Sequence, residues 1–114
     1  MPFRAVLAVL LWWLLAPCAL AHARLIESVP ADGAVLAARP ATVALTFDGE
    51  VEPALGSLVL HGAPDVVLER VADADPRRLV AALPTLAAGA YRITWRTVSR
   101  DGHAITGVVR FVVE

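Results

Sequence analysis

Tyr91-Arg92-Ile93-Thr94-Trp95-Arg96-Thr97 alternates without interruption, with Tyr91, Ile93 and Trp95 on one side and Arg92, Thr94 and Arg96 on the other. Successive side chains leave a strand on opposite faces, so a period of two in β-branched and aromatic residues marks a half-buried strand. Ala41-Thr42-Val43-Ala44-Leu45-Thr46-Phe47 repeats the pattern, with Val43, Leu45 and Phe47 inward. Shorter candidates are 24–28, 57–61, 66–70, 78–82 and 107–113. They are separated by turn signals at 30–33, Arg39-Pro40, Asp48-Gly49, 62–64, Asp75-Pro76, Ala88-Gly89 and Asp101-Gly102. The Ala- and Leu-rich stretch 79–88 could pass for a helix, but Pro84 interrupts it and Gly89 follows, so a strand ending in a proline turn fits better. About seven short strands within a single domain predict an all-β sandwich or Greek-key barrel.

The segment ahead of these strands has a different character. Arg4 gives it a positive start, 5–16 is an almost unbroken apolar run, and Ala19-Leu20-Ala21 is a small-x-small motif. Together these are the parts of a secretory signal. The run is shorter than the roughly 20 apolar residues that span a bilayer, and Pro17 breaks it, which argues against a retained anchor. Pro17 directly before Cys18 also suits lipoprotein processing poorly. The expectation is a signal peptide at 1–21, cut between Ala21 and His22, and an exported domain at 22–114 with no membrane span after processing. Ala21-His22-Ala23 offers a rival cut that would discard His22.

Cleavage after Ala21 removes Cys18 and Met1, the single cysteine and the single methionine. The remaining domain has no disulfide, thiolate or thioether, and its stability must come from core packing. The chain is 58% hydrophobic, but the leader supplies much of that, so the figure overstates the core. All ten basic residues are Arg and the net charge is −1, which provides no broad basic face for nucleic acid.

Three histidines could carry chemistry: His22, His61 and His103. A histidine exposed at the N-terminus by processing offers an α-amine and an imidazole Nδ1 from one residue, which together can close a chelate ring. Those nitrogens suit Cu(II), the tightest binder among the common divalent ions. In Asp101-Gly102-His103 a carboxylate and an imidazole two residues apart would face the same side of an extended segment, and Gly102 lets the backbone bend. The same three residues also fit a plain Asp-Gly hairpin turn. His61, at a strand end before Gly62, reads as a solvent-facing residue rather than a ligand. Tyr91 and Trp95 read as core, and Arg92, Arg96, Arg100 and Arg110 as a solvated face. Glu50 and Glu52 form a carboxylate pair with no nucleophile or second histidine to work with.

Two blocks resemble a known family. His22-Ala23-Arg24-Leu25-Ile26-Glu27-Ser28-Val29-Pro30-Ala31-Asp32-Gly33-Ala34 is similar to the mature start of CopC-type periplasmic copper-resistance proteins. The block 89–107 is similar to their second signature, a Tyr91-to-Trp95 strand leading into Ser99, Asp101, Gly102 and His103. The likeness continues through 41–52 and the closing 108–113. It implies an immunoglobulin-like Greek-key β-sandwich and a Cu(II) site. In that site His22 would give its α-amine and imidazole, Asp101 a carboxylate oxygen and His103 a second imidazole. It further implies a periplasmic copper carrier or buffer, not an enzyme, that hands Cu(II) to a membrane copper transporter of the CopD kind. Some members add a methionine-rich Cu(I) segment. With no methionine or cysteine in 22–114, such a soft site cannot be built, so a Cu(II)-only member is expected. Two alternatives stand beside this reading. One is an oxidative copper enzyme with a terminal-histidine site, although a carboxylate beside three nitrogens leaves little room for oxygen. The other is an immunoglobulin-like interaction module without metal.

Overall fold

The computed structural model describes residues 23–62 and 64–114; residues 1–22, with the expected signal peptide at 1–21 and the candidate ligand His22, and Ala63 lie outside the described residues. Nine strands run through the described chain. They are β1 (Leu25–Val29), β2 (Ala34–Leu36), β3 (Thr42–Phe47), β4 (Ser57–His61), β5 (Val66–Val67), β6 (Arg70–Val71), β7 (Arg78–Ala82), β8 (Gly89–Val98) and β9 (Ala104–Val113). They form a four-stranded sheet in the order β1-β3-β7-β6 and a five-stranded sheet in the order β2-β9-β8-β4-β5. Every pairing is antiparallel except β2, which lies parallel to the end of β9. The alternation predicts an all-β sandwich or Greek-key barrel and the family resemblance implies the immunoglobulin-like form; the two-sheet β-sandwich is the fold.

The alternation decides what lies between the sheets. Val43, Leu45 and Phe47 of β3, with Leu79 and Ala81 of β7, face Leu58, Ile93, Trp95, Val109 and Phe111 of the other sheet, all buried. Trp95 meets the Phe47 ring edge-on at 5.4 Å between centroids, and Tyr91 stacks on its cross-strand partner Phe111 at 5.6 Å. Such ring pairs add about 0.5–1.5 kcal/mol beyond the area they bury. Trp95 is core as read from the sequence. Tyr91 is only half-buried, because its hydroxyl reaches out to the Ala87 carbonyl at 2.7 Å. Arg92, Arg96, Arg100 and Arg110 are exposed, as expected.

Nine strands replace the expected seven for two reasons. The single strand expected at 66–70 is split. Val66–Val67 pairs with β4 in one sheet and Arg70–Val71 with β7 in the other, while Leu68, 5% exposed, plugs the gap between them. The Leu68 amide still donates to the Leu58 carbonyl and the Glu69 carbonyl accepts from Ala82, so the chain changes sheets within one peptide. The strand β2 was not anticipated. It is three residues long and follows a turn in which Gly33 adopts φ +82°, and the Gly33 amide is tied to the Arg110 carbonyl at 2.6 Å.

One irregularity in β1 sets the position of the chain's first described residues. Glu27 pairs with Thr46 but Leu25 pairs with Phe47, so Ile26 is an extra residue, a β-bulge. A bulge reverses the phase of alternation. Here it turns Ile26 out to solvent and Leu25 in toward the core, and Ala23 follows inward at 3% exposure.

Candidate metal centre

Ala23 and Arg24 are fixed against the loop that follows β3. The Arg24 amide donates to Asp48 Oδ1 at 2.6 Å, and the Asp48 amide returns a bond to the Arg24 carbonyl at 2.9 Å. Ala23 lies over Gly49 at van der Waals distance from where a Cβ would stand. The other side of this loop holds the end of β8. Val51 bridges Ser99, the Glu52 amide donates to the Val98 carbonyl, and the Arg100 amide donates to the Glu50 carbonyl. The Arg100 guanidinium also pairs with the Glu50 carboxylate. Residues 48–52 thus act as a spacer with residues 23–24 on one flank and 98–100 on the other. Asp48 and Glu50 are two residues apart, at most about 7 Å of chain.

Asp101 and His103 lie in the turn between β8 and β9, and there the sequence reading needs correction. The two side chains converge through a turn, not through alternation in an extended segment. The Gly102 amide donates back to the Ser99 carbonyl at 2.9 Å, and Gly102 takes φ +89°, a conformation that glycine adopts without Cβ strain. The hairpin-turn reading and the convergence of the pair are therefore both realised.

Ser99 organises this turn. It is fully buried, its amide donates to the His103 carbonyl at 2.9 Å, and its hydroxyl donates to Asp101 Oδ1. The His103 amide also points at Asp101 Oδ1, at 3.2 Å. Asp101 Oδ2 lies 2.9 Å from His103 Nδ1. The Ser99 hydroxyl first, then the His103 ring and amide, hold the Asp101 carboxyl well below the usual carboxylate range, because each favours the ionised form. An ionised Asp101 accepting from Nδ1 selects the tautomer in which Nε2 carries the lone pair, the arrangement common to metal-binding histidines.

Among the described residues no cluster of three or more His, Cys, Asp and Glu side chains converges. The described part of the nominated centre is the Asp101–His103 pair, and His22 lies outside the described residues. His61 is elsewhere, on β4 opposite Arg92. It is half-buried, not solvent-facing, with Nε2 2.8 Å from Thr94 Oγ1 and Nδ1 3.2 Å from Asp65 Oδ2. The sequence alone assigns Ser99 no role. Its signal was a serine continuing the inward parity of Ile93, Trp95 and Thr97, where an apolar side chain would be expected.

A family model described as the CopC domain matches residues 25–114. Copper resistance protein C of Pseudomonas syringae pv. tomato is 34% identical over 111 residues, which cover 89% of this chain and 87% of that protein. Among solved structures, CopC from Methylosinus trichosporium OB3b superposes with a TM-score of 0.74 at 34% identity, covering 82% of this chain and 94% of that one. PcoC, a methionine rich copper resistance protein from Escherichia coli, gives 0.67 at 34% identity, covering 82% of this chain and all of that one.

Proposed function

The chain belongs to the CopC family, and from that premise we propose that it is an exported Cu(II) carrier or buffer of the periplasm. In this reading signal cleavage after Ala21 makes His22 the first residue. Its α-amine and imidazole then bind one Cu(II) together with the His103 imidazole and an Asp101 carboxylate oxygen. The ion is cargo, handed on to a membrane copper transporter. The reading is supported by relatives that are copper resistance proteins.

The observation that carries the proposal is the spacer at 48–52. Arg24 and Arg100 are hydrogen-bonded to positions two residues apart on one loop, with His22 two residues before the first and Asp101 one after the second. The donor set suits the ion, since amine and imidazole nitrogens with one carboxylate match Cu(II) by ligand type. A carboxylate held ionised also offsets part of its charge. In the metal-free chain Asp101 Oδ2 sits against His103 Nδ1; for both side chains to reach one ion that contact has to open, because an ion on Nε2 would lie on the far side of the ring from the carboxylate.

The oxidation state follows from what the exported part lacks. With the methionine at position 1 and the cysteine at position 18, residues 22–114 contain no soft sulfur donor for Cu(I), in contrast with the methionine rich relative. Intact-mass analysis of the exported protein with and without Cu(II) tests the proposal. The expected result is a chain beginning at His22 that gains one copper. A chain beginning at Arg24, or one that gains no copper, would overturn it.

A further inference from the structure

The outer face of the five-stranded sheet gathers arginine side chains. Arg92 on β8 and Arg110 on β9 occupy directly opposed register positions, and Arg96 lies farther along β8 on the same face. Opposed side chains in an antiparallel pair sit about 4.5–5.5 Å apart at Cβ, where like charges are destabilising. Among the described residues neither Arg92 nor Arg110 forms an ion pair. Two carboxylates border this face, and the charge of Arg92 reaches one of them, Asp65, only as the last of the influences that lower its carboxyl. Asp32 accepts the Arg110 backbone amide at 2.8 Å, and Asp65 is held by the Gly62 amide and His61.

The same arginines line a groove of about 460 Å³ together with Tyr91, Phe111, Ala90 and Val112. The face continues into exposed Val35 and Val67 at its two edges. Exposed Val112, Val35 and Val67, interrupted by two guanidinium groups that form no ion pair among the described residues, give this face the mixed apolar and arginine character found at interfaces.

We propose that this groove docks an acidic segment of a partner protein, whose carboxylates bridge Arg92 and Arg110. Guanidinium groups take carboxylates in bidentate fashion, and a bridging carboxylate turns an unfavourable opposed pair into a favourable triad. A membrane surface is the poorer occupant. Anionic lipid is recognised by clusters of about 4–8 basic side chains, whereas this face carries three arginines and is concave where they meet. The groove is also remote from the proposed metal centre: Arg92 lies seven residues before Ser99 on β8, about 23 Å of strand. A partner could dock here while the metal turn stays accessible.

The test uses copper-free, uniformly 15N-labelled protein beginning at His22, titrated with a hexaglutamate peptide and followed by amide chemical shifts. The expected result is saturable shifts centred on Arg92, Thr94 and Arg110. They should weaken as salt is raised, with affinity at least about tenfold lower in R92S/R110S. Each single substitution should give an intermediate loss, so the comparison survives if the double variant folds poorly. Cu(II) binding should be unchanged in all three, and the peptide titration needs no copper, so failure here is distinguishable from failure of the copper assignment. Shifts of equal size in the arginine variants would overturn the proposal. So would no shifts at all, or binding to phosphatidylglycerol vesicles in preference to the peptide.

Discussion

Replacing Gly107 with alanine probes how the sandwich holds the two strands that flank the β8–β9 turn. Gly107 is paired with Trp95 across β8 and β9, and the indole lies over it. A Cβ at position 107 would stand 2.4 Å from Trp95 Cζ2, 2.6 Å from Cε2 and 2.8 Å from Nε1. All three atoms belong to one rigid ring, which is wedged edge-on against Phe47 and cannot swing clear. Overpacking of this kind costs about 1–3 kcal/mol, and three simultaneous clashes put it at the upper end. Alanine recovers about 0.5–1 kcal/mol of the backbone entropy that glycine loses in a strand. The net expectation is a destabilisation of about 2 kcal/mol. At about 4–8 °C per kcal/mol for a domain this small, G107A should melt about 8–16 °C lower by calorimetry. W95F shortens the ring, so the cycle of G107A, W95F and the double variant should show a coupling of at least about 1 kcal/mol. A melting temperature within about 2 °C of the parent, or additive effects in the cycle, would refute the account of Trp95 over Gly107.

Other consequences follow from the β8–β9 turn and the ligands proposed there. S99A leaves every proposed ligand in place but removes the hydroxyl that fixes Asp101, and should weaken Cu(II) binding by about 10–100-fold in a competition titration. H61A, altering a histidine tied to Thr94 and Asp65, should leave Cu(II) affinity unchanged, and equal losses in both variants would contradict the site. Because the Asp101 carboxyl is held below its usual range by Ser99 and then His103, its contribution to stability is present above the ordinary value of about 3.9. It is lost as pH falls below that toward the depressed folded value. Asp65 acts in the same sense through the Gly62 amide and then His61. Metal-free D101N should therefore lose less stability than the parent between about pH 4 and pH 2 in acid-unfolding curves, and parallel curves would show that the Asp101 contacts contribute nothing.

The long strands were legible because each has one buried face, and a buried face imposes a period of two on the sequence. That is why 41–47 and 91–97 located β3 and β8. The short strands had no such signature. Three residues at Ala34–Leu36 cannot establish a period, and β2 owes its place to the Gly33 turn and the edge of β9. The run 66–70 looked continuous because Val66, Val67 and Leu68 are all apolar, yet Leu68 is buried because the chain crosses between sheets there, a tertiary fact. At the β8–β9 turn the residue types were legible and the geometry was not. Asp101 and His103 were read as neighbours on an extended segment, whereas Ser99 and Gly102 bend the chain to bring them together. The bulge at Ile26, which turns Ala23 inward toward Gly49, depends on register and leaves no mark in a single sequence.

The central claim is that a histidine placed first in the chain closes a chelate ring through its own α-amine. Cu(II) titration of the protein beginning at His22, beside the same protein carrying one glycine ahead of His22, tests it most directly. Electron paramagnetic resonance can follow the ligand set in both. The account predicts one Cu(II) bound by the first protein, and weaker binding with an altered nitrogen signature in the second. Equal affinity and identical spectra would contradict it.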